Sequence, residues 1–238
     1  MPGIFVKAIA RGAIAIAIVV IAWELAATVL PPFFIPHLGL VLGKMFQMAL
    51  TPDLWTHALV SFSRIVAGYL MALVVGVPIG LILRQVPELR FVFGALFAGL
   101  AAVPFVLLAP VMVFWFGIAN GAKIALAFAA AVFALVSDLM TSRDPAKPSA
   151  PGGMPSAATA AVPLAPQVIE AARTAFLVAV GAVLVSEMLG SQNGLGYLLM
   201  FATSTFDTVT VFAVVLIVAL PCAFFNALLR SIEVQVGI

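Results

Sequence analysis

Nine acidic side chains, two histidines and one cysteine are the carboxylates, imidazoles and thiol that this 238-residue chain offers for acid–base chemistry or metal binding. Their spacing excludes the common enzyme centres. His37 and His57 stand outside any H-E-x-x-H pattern, no serine occupies a G-x-S-x-G elbow, and no glycine-rich loop opens a helix to cradle phosphate. Cys222 has no second cysteine with which to form a disulfide or a thiolate metal site, so it reads as a small apolar residue in a span. Two features remain that could carry function. Glu187 interrupts an apolar segment, where an ionisable group is by default a pathway-facing or pairing residue. The run Thr141 to Pro163, rich in Pro, Ser, Ala and Gly, is the only long hydrophilic break in the chain.

The elements that must position these features are membrane helices. Hydrophobic residues make up 65% of the chain and charged ones 8%, against about 45–50% and about 25% in soluble domains. The mean hydropathy is +1.27. An all-α, polytopic membrane protein follows, and its eleven basic residues bear on orientation in the bilayer rather than on nucleic acid. With about 20 apolar residues needed per crossing, six spans are predicted, at about 12–30, 60–83, 100–118, 121–138, 168–189 and 208–229, in a single domain over residues 1–238. The first run, Gly12 to Leu30, is longer than the about 7–15 residues of a signal-peptide core and ends in Leu-Pro-Pro rather than a cleavage site, so it reads as a retained span. The third lies in a charge-free run from Phe91 to Ala122, too long for one span, which Pro104 and Pro110 are expected to break into a re-entrant or interfacial piece and a crossing helix. The fifth is short between Arg173 and Glu187, which places those charges at its ends or towards the bundle interior.

Basic residues set the sidedness. With the N-terminus inside, seven Lys and Arg (Lys7, Arg11, Arg84, Arg90, Arg143, Lys147, Arg230) fall on the cytoplasmic side, and two (Lys44, Lys123) fall outside. Both termini and the hydrophilic loop 139–167 are then cytoplasmic, and the segment 190–207 is an outer loop containing a tight turn at Gly194-Leu195-Gly196. His57, beside Trp55, is expected to pack at the interface.

Strings along nearly the whole chain resemble one family. They are Leu30-Pro31-Pro32-Phe33-Phe34-Ile35-Pro36, Ser61-Phe62-Ser63-Arg64-Ile65-Val66-Ala67-Gly68-Tyr69 and Gly76-Val77-Pro78-Ile79-Gly80 in the first half. Then come Ala109-Pro110, Phe114-Trp115-Phe116-Gly117, Lys123-Ile124, Glu187-Met188-Leu189-Gly190-Ser191-Gln192-Asn193-Gly194-Leu195-Gly196-Tyr197 and Phe206-Asp207. In this order and spacing they are similar to the permeases of binding-protein-dependent ABC importers, in the nitrate, sulfonate and taurine branch. The resemblance implies the six-helix fold of type I importer permeases in a bacterial plasma membrane. It implies a transport subunit that is not itself an enzyme and needs no cofactor. Its partners would be a second permease subunit, most simply an identical copy, a separate ABC ATPase subunit and an extracytoplasmic substrate-binding protein. A small anion is the solute class implied, with a neutral heterocycle still open.

The family transmits force through a cytoplasmic helix of pattern E-A-A-x3-G-x9-I-x-L-P. Counting back from Val162-Pro163 places Asp144 at the Glu position, Pro145 and Ala146 at the Ala pair and Ala150 at the Gly. Of those aligned positions only Ala146 and Pro163 match, and Pro145, Pro148, Pro151 and Pro155 oppose a continuous helix. Glu170-Ala171-Ala172 spells the opening of the pattern, but Phe176 stands at the Gly position and no I-x-L-P follows, so it reads as the start of span five. The loop is then a divergent coupling loop, a lost one, or the product of a local reading-frame disruption. The abrupt change of composition favours the last. An ATPase-independent channel or secondary carrier, or a coupling-defective remnant, stays open beside the importer reading.

Overall fold

The computed structural model describes residues 2–141 and 164–236. Asp144, Ala146, Ala150, Val162 and Pro163, the residues aligned with the coupling pattern, lie outside the described residues. The described elements are α-helices and one 3-10 turn: α1 (Pro2–Val29), α2 (Leu38–Ala49), α3 (Pro52–Gln85), α4 (Pro87–Ala102), the turn Phe105–Leu108, α5 (Ala109–Phe116), α6 (Asn120–Thr141), α7 (Leu164–Gly190), α8 (Leu195–Ser204) and α9 (Thr208–Val236).

Prolines and glycines punctuate the chain where the backbone demands it. Val103 is extended (ψ 124°) because Pro104 follows, and α4 ends there. Pro110 does not break the chain, because it sits in the first turn of α5 where its missing N–H has no intrahelical acceptor to lose. The segment expected to cross over 100–118 is therefore two helical pieces bent by 89° at one break. Among the described residues five helices are long and apolar enough to cross a membrane (Gly12–Val29, Pro52–Gln85, Asn120–Thr141, Leu164–Gly190 and Thr208–Ile232), or six if the bent pair is one span. The chain is an all-α polytopic membrane protein. Two helices, α2 and α8, lie in segments that the sequence presents as outer loops.

Packing divides the chain into two compact units, Met1–Thr56 with Leu198–Val218, and His57–Tyr197 with Ala219–Ile238. In the first, Glu24 of α1 ties down α2. Its Oε1 accepts from the Leu38 N–H at 2.7 Å and its Oε2 lies 2.8 Å from His37 Nδ1, so a carboxylate meets the open N-terminus of α2. Trp23 Nε1 donates to the Pro36 carbonyl (2.9 Å), and its ring meets Phe212 edge-on. Asp207 caps α9, its carboxylate accepting from the Thr210 N–H (3.0 Å) and hydroxyl (2.5 Å).

The second unit is built on stripes of small residues. Helices gain little from apolar burial against one another when lipid is equally apolar, so close backbone approach decides the pairing. Along α3, Gly68, Ala72, Gly76 and Gly80 are buried every four residues. A methyl on Gly68 would lie 2.6 Å from Ala127 Cβ, and one on Gly80 would lie 2.8 Å from Leu139 Cβ, so α3 and α6 touch with no room to spare. Along α7, Gln167, Ala171, Ala175, Ala179, Val183 and Glu187 form a buried stripe, again one per turn. α6 and α7 form the most extensive pairing, with Phe105, Leu108 and Met112 filling in around Ala109, Leu126, Ala130 and Ala182.

Candidate functional site

Both ends of the buried stripes are polar. On α3, His57, Ser61 and Arg64 share the face that continues into Gly68. The first turn of α6 brings Asn120 and Lys123, and the last turn of α7 brings Glu187 and Gly190. Ser61, Arg64, Lys123 and Glu187 are all within 3% of complete burial.

An ion pair lies at the centre. Arg64 Nη1 is 2.7 Å from Glu187 Oε1, with side-chain exposures of 4% and 0%. Isolated charges are too costly to bury in such a place, and the pair is accordingly surrounded by further hydrogen bonds. The Arg64 guanidinium also donates through Nε (3.0 Å) and Nη2 (2.7 Å) to Asn120 Oδ1, through Nη2 to Asn193 Oδ1 (2.5 Å), and through Nη1 to the Asn193 carbonyl (3.2 Å). Its five N–H groups are thus spent on α6, α7 and the turn after α7. Lys123 Nζ donates to the carbonyls of Ile118 (2.6 Å) and Ala119 (3.3 Å), just before α6, and of Gly190 (3.2 Å), which sets a cation against the last carbonyl of α7.

The other half of the cluster is the N-terminus of α8. Three consecutive backbone N–H groups find three side-chain acceptors: Gly194 donates to His57 Nδ1 (2.9 Å), Leu195 to Ser61 Oγ (2.7 Å) and Gly196 to Glu187 Oε2 (3.0 Å). Ser61 Oγ in turn donates to the carboxylate, at 2.7 Å from Oε2. His57 must present an unprotonated Nδ1 to accept, and its ring stacks on Tyr197 at 5.7 Å. Gly194 has φ +110°, and Gly196 lies so close to the Leu184 carbonyl and Glu187 that only glycine fits either place without strain.

Glu187, the residue singled out in the sequence, is therefore a fully buried counter-ion and helix cap, with its carboxylate turned to protein groups. Arg64 and Ser61 are the side-chain partners that sequence reasoning did not assign to it, and Asn120 and Lys123 complete the cluster around them. Arg64 was detectable by the same rule that picks out Glu187, an ionisable group among apolar residues. Lys123, counted above as a loop cation, is 2% exposed. The cluster offers no free acid, base or nucleophile; it fastens helix ends together.

Two of these helices carry a second polar layer. Arg84 Nη1 donates to Gln167 Oε1, joining the far ends of α3 and α7. Arg64 and Arg84 are twenty residues apart, as are Gln167 and Glu187, which at 1.5 Å per residue is about 30 Å, the thickness of a bilayer's hydrocarbon core.

No family model matches the chain. A protein of Methanocaldococcus jannaschii named as an ABC transporter permease is 28% identical over 232 residues, covering 91% of this chain and 87% of its own length. The taurine transport system permease protein of Escherichia coli is 30% identical over 129 residues, 51% of this chain and 46% of its own. The riboflavin transport system permease protein of Chloroflexus aurantiacus is 25% identical over 214 residues, 85% of this chain and 80% of its own. The resemblance read from the sequence strings thus extends over most of the chain.

Proposed function

We propose that this chain, an ABC transporter permease by its similarity over most of its length, is the membrane subunit of an ATP-driven importer for a small anion such as a sulfonate, taurine or nitrate. It works as one permease domain paired with a second copy. A separate ATPase supplies energy and an external binding protein supplies solute. Both termini and the loop 139–167 face the cytoplasm. The observation that carries the reading is the pair of polar layers about 30 Å apart on α3 and α7, the outer one closed on itself by Arg64 and Glu187. A membrane frame with no chemistry of its own needs partners to move anything against a gradient.

The outer layer supports an anionic solute. It holds two cations, Arg64 and Lys123, against one carboxylate, Glu187, and a net positive field raises the local concentration of anions. Glu187 acts on the pathway by holding α8 and the turn 191–194 in place, since its own oxygens are taken. Asp144, Ala146, Ala150, Val162 and Pro163 mark where the ATPase would dock, and the departures from the coupling pattern there favour weak coupling.

The test is reconstitution of the chain with a candidate ABC ATPase and binding protein, with uptake of taurine, nitrate and riboflavin measured with and without ATP. ATP-dependent uptake of an anion is expected. Solute flux at full rate without the ATPase would replace this reading with a channel or carrier.

A further inference from the structure

The inner ends of α3, α4 and α6 enclose an open cleft of about 860 Å³, lined by Arg84, Arg90, Phe91, Ala95, Ala98 and Met140 among others. Among the described residues its lining contains two arginines and no acidic side chain. Arg84 is shared with Gln167. Arg90 is half-buried, and among the described residues its side chain has no hydrogen-bond or ion-pair partner. Its stem lies over Gly94, where a methyl would come within 3.8 Å of Arg90 Cγ.

The cleft wall is as telling as its rim. No residue of α4 is buried, and Phe91 is 88% exposed. From Arg90 to Ala98 the helix advances about 12 Å towards the outer layer, so two cations at one depth are followed by an apolar wall leading into the hydrocarbon. A free inorganic anion would use the cations and leave the wall without a role. An amphiphile with an anionic head uses both. The depth also fits, because Arg84 stands about one hydrocarbon thickness from Arg64, at headgroup level.

We propose that this cleft binds an anionic phospholipid of the cytoplasmic leaflet, its phosphate between Arg84 and Arg90 and an acyl chain along Phe91, Ala95 and Ala98. Basic pockets between membrane helices on the cytoplasmic side take such headgroups. The proposal rests on the membrane placement argued above and is independent of the ATPase and of the solute.

The full chain, purified in neutral detergent and exposed to equal amounts of phosphatidylglycerol and phosphatidylcholine with matched acyl chains, is assayed for retained lipid by native mass spectrometry. Wild type should retain phosphatidylglycerol preferentially. Arg90→Gln should lower that retention about fivefold, the factor expected for one arginine near an anionic surface, while Arg90→Lys stays within about twofold and phosphatidylcholine is unchanged. Among the described residues the Arg90 side chain has no partner to lose, so this variant is expected to keep the fold; Arg84→Gln, which breaks the Gln167 contact, is read alongside it. Equal retention of the two lipids by wild type, or unchanged phosphatidylglycerol in Arg90→Gln, overturns the proposal. So does displacement of the lipid by millimolar inorganic phosphate, which would make the cleft a free-anion site. Loss of ATPase capture by Arg90→Gln with lipid retention intact would make it a partner surface and overturns the proposal equally. Preferential retention in a chain that captures no ATPase would leave the lipid site standing and the importer reading refuted.

Discussion

Glu187→Gln removes one charge from the outer layer with almost no change of volume. The amide keeps an oxygen for Arg64 Nη1, but it sets an NH2 group where a carboxylate oxygen now accepts from Ser61 Oγ and from the Gly196 N–H. Two costs follow. The Arg64 charge, in a side chain 4% exposed, loses its counter-ion, and breaking a buried pair by removing one member costs ~3–5 kcal/mol. A buried donor also loses its acceptor, worth ~1–3 kcal/mol. These overlap, and the retained contacts of the guanidinium to Asn120 and Asn193 offset part of them, so a net loss of ~3 kcal/mol is expected. The competing expectation is the ~0.6 kcal/mol average for polar contacts between membrane helices. Burial decides for the larger figure, because the carboxylate side chain is 0% exposed and its neighbours have no water to turn to. Unfolding of the full chain in mixed micelles, followed by near-UV absorbance or circular dichroism, measures the difference. Arg64→Gln and the double variant complete a cycle, in which the two losses together should fall well short of their sum. A loss below ~0.5 kcal/mol for Glu187→Gln, or additive losses in the cycle, would refute the clamp.

Further outcomes are fixed by the same geometry. Gly196→Ala presses a methyl onto the Leu184 carbonyl and to 2.8 Å from Glu187 Cβ, so ~1–3 kcal/mol should be lost, whereas Gly190→Ala, with nothing within 4 Å, should be near neutral in the same unfolding assay. The Asp207 carboxyl is held below its ordinary value, first by the Thr210 hydroxyl bond. Its cap is therefore complete above pH ~4 and lost as pH falls through the lowered folded value, so Asp207→Ala should cost ~1 kcal/mol at pH 7 and progressively less below pH ~4. In a Cys222→Ser background, a cysteine at exposed Gln192 should react with an impermeant thiol reagent added outside, and one at Lys147 only after lysis; reversed labelling at both would sink the sidedness. Glu187→Gln should reduce uptake more than Arg173→Lys. Replacing residues 144–160 by an E-A-A-x3-G helix should raise binding-protein-stimulated ATP hydrolysis, while Ala150→Gly alone should not, because the surrounding prolines still oppose a helix at ~3 kcal/mol each; strong coupling by the native loop would refute the idea that it is defective.

The long spans were legible because hydropathy alone specifies them. α1, α3, α6, α7 and α9 all coincide with apolar runs of the right length. The short helices were not. α2 and α8, of 12 and 10 residues, follow Pro36 and Gly194, and turn signals there masked helices too short to declare themselves by periodicity. Pro104 and Pro110 looked equivalent as breakers, yet only one lies beyond a helix end, a distinction set by where the chain resumes its hydrogen bonding. In the site, Glu187 announced itself by its charge. Its partners did not, because Arg64 lies 123 residues away in sequence and the contact depends on how α3 and α7 are staggered. The four-residue stripe from Gln167 to Glu187 was readable and shows which face of α7 turns inward; it does not show which helix that face meets.

That stripe bears on how force would cross the membrane. α3 and α6 touch through Gly68, Gly76 and Gly80 at separations that leave no slack, and α7 packs Ala171, Ala175 and Ala179 with at most 1% exposure. Interfaces so close cannot deform gradually; they hold or they shift as a unit. A displacement imposed near Gln167, which adjoins the loop 139–167, would then reach Glu187 through a single helix. There the carboxylate holds the Gly196 N–H and the Ser61 hydroxyl, so the N-terminus of α8 would be the first element to feel it. The charge pair is suited to such a place because it is strong when the geometry is met and costly when it is not. A misaligned inner end would show as an outer cluster that opens, and the same Arg64 and Glu187 variants that test stability would report it as altered accessibility at Gln192.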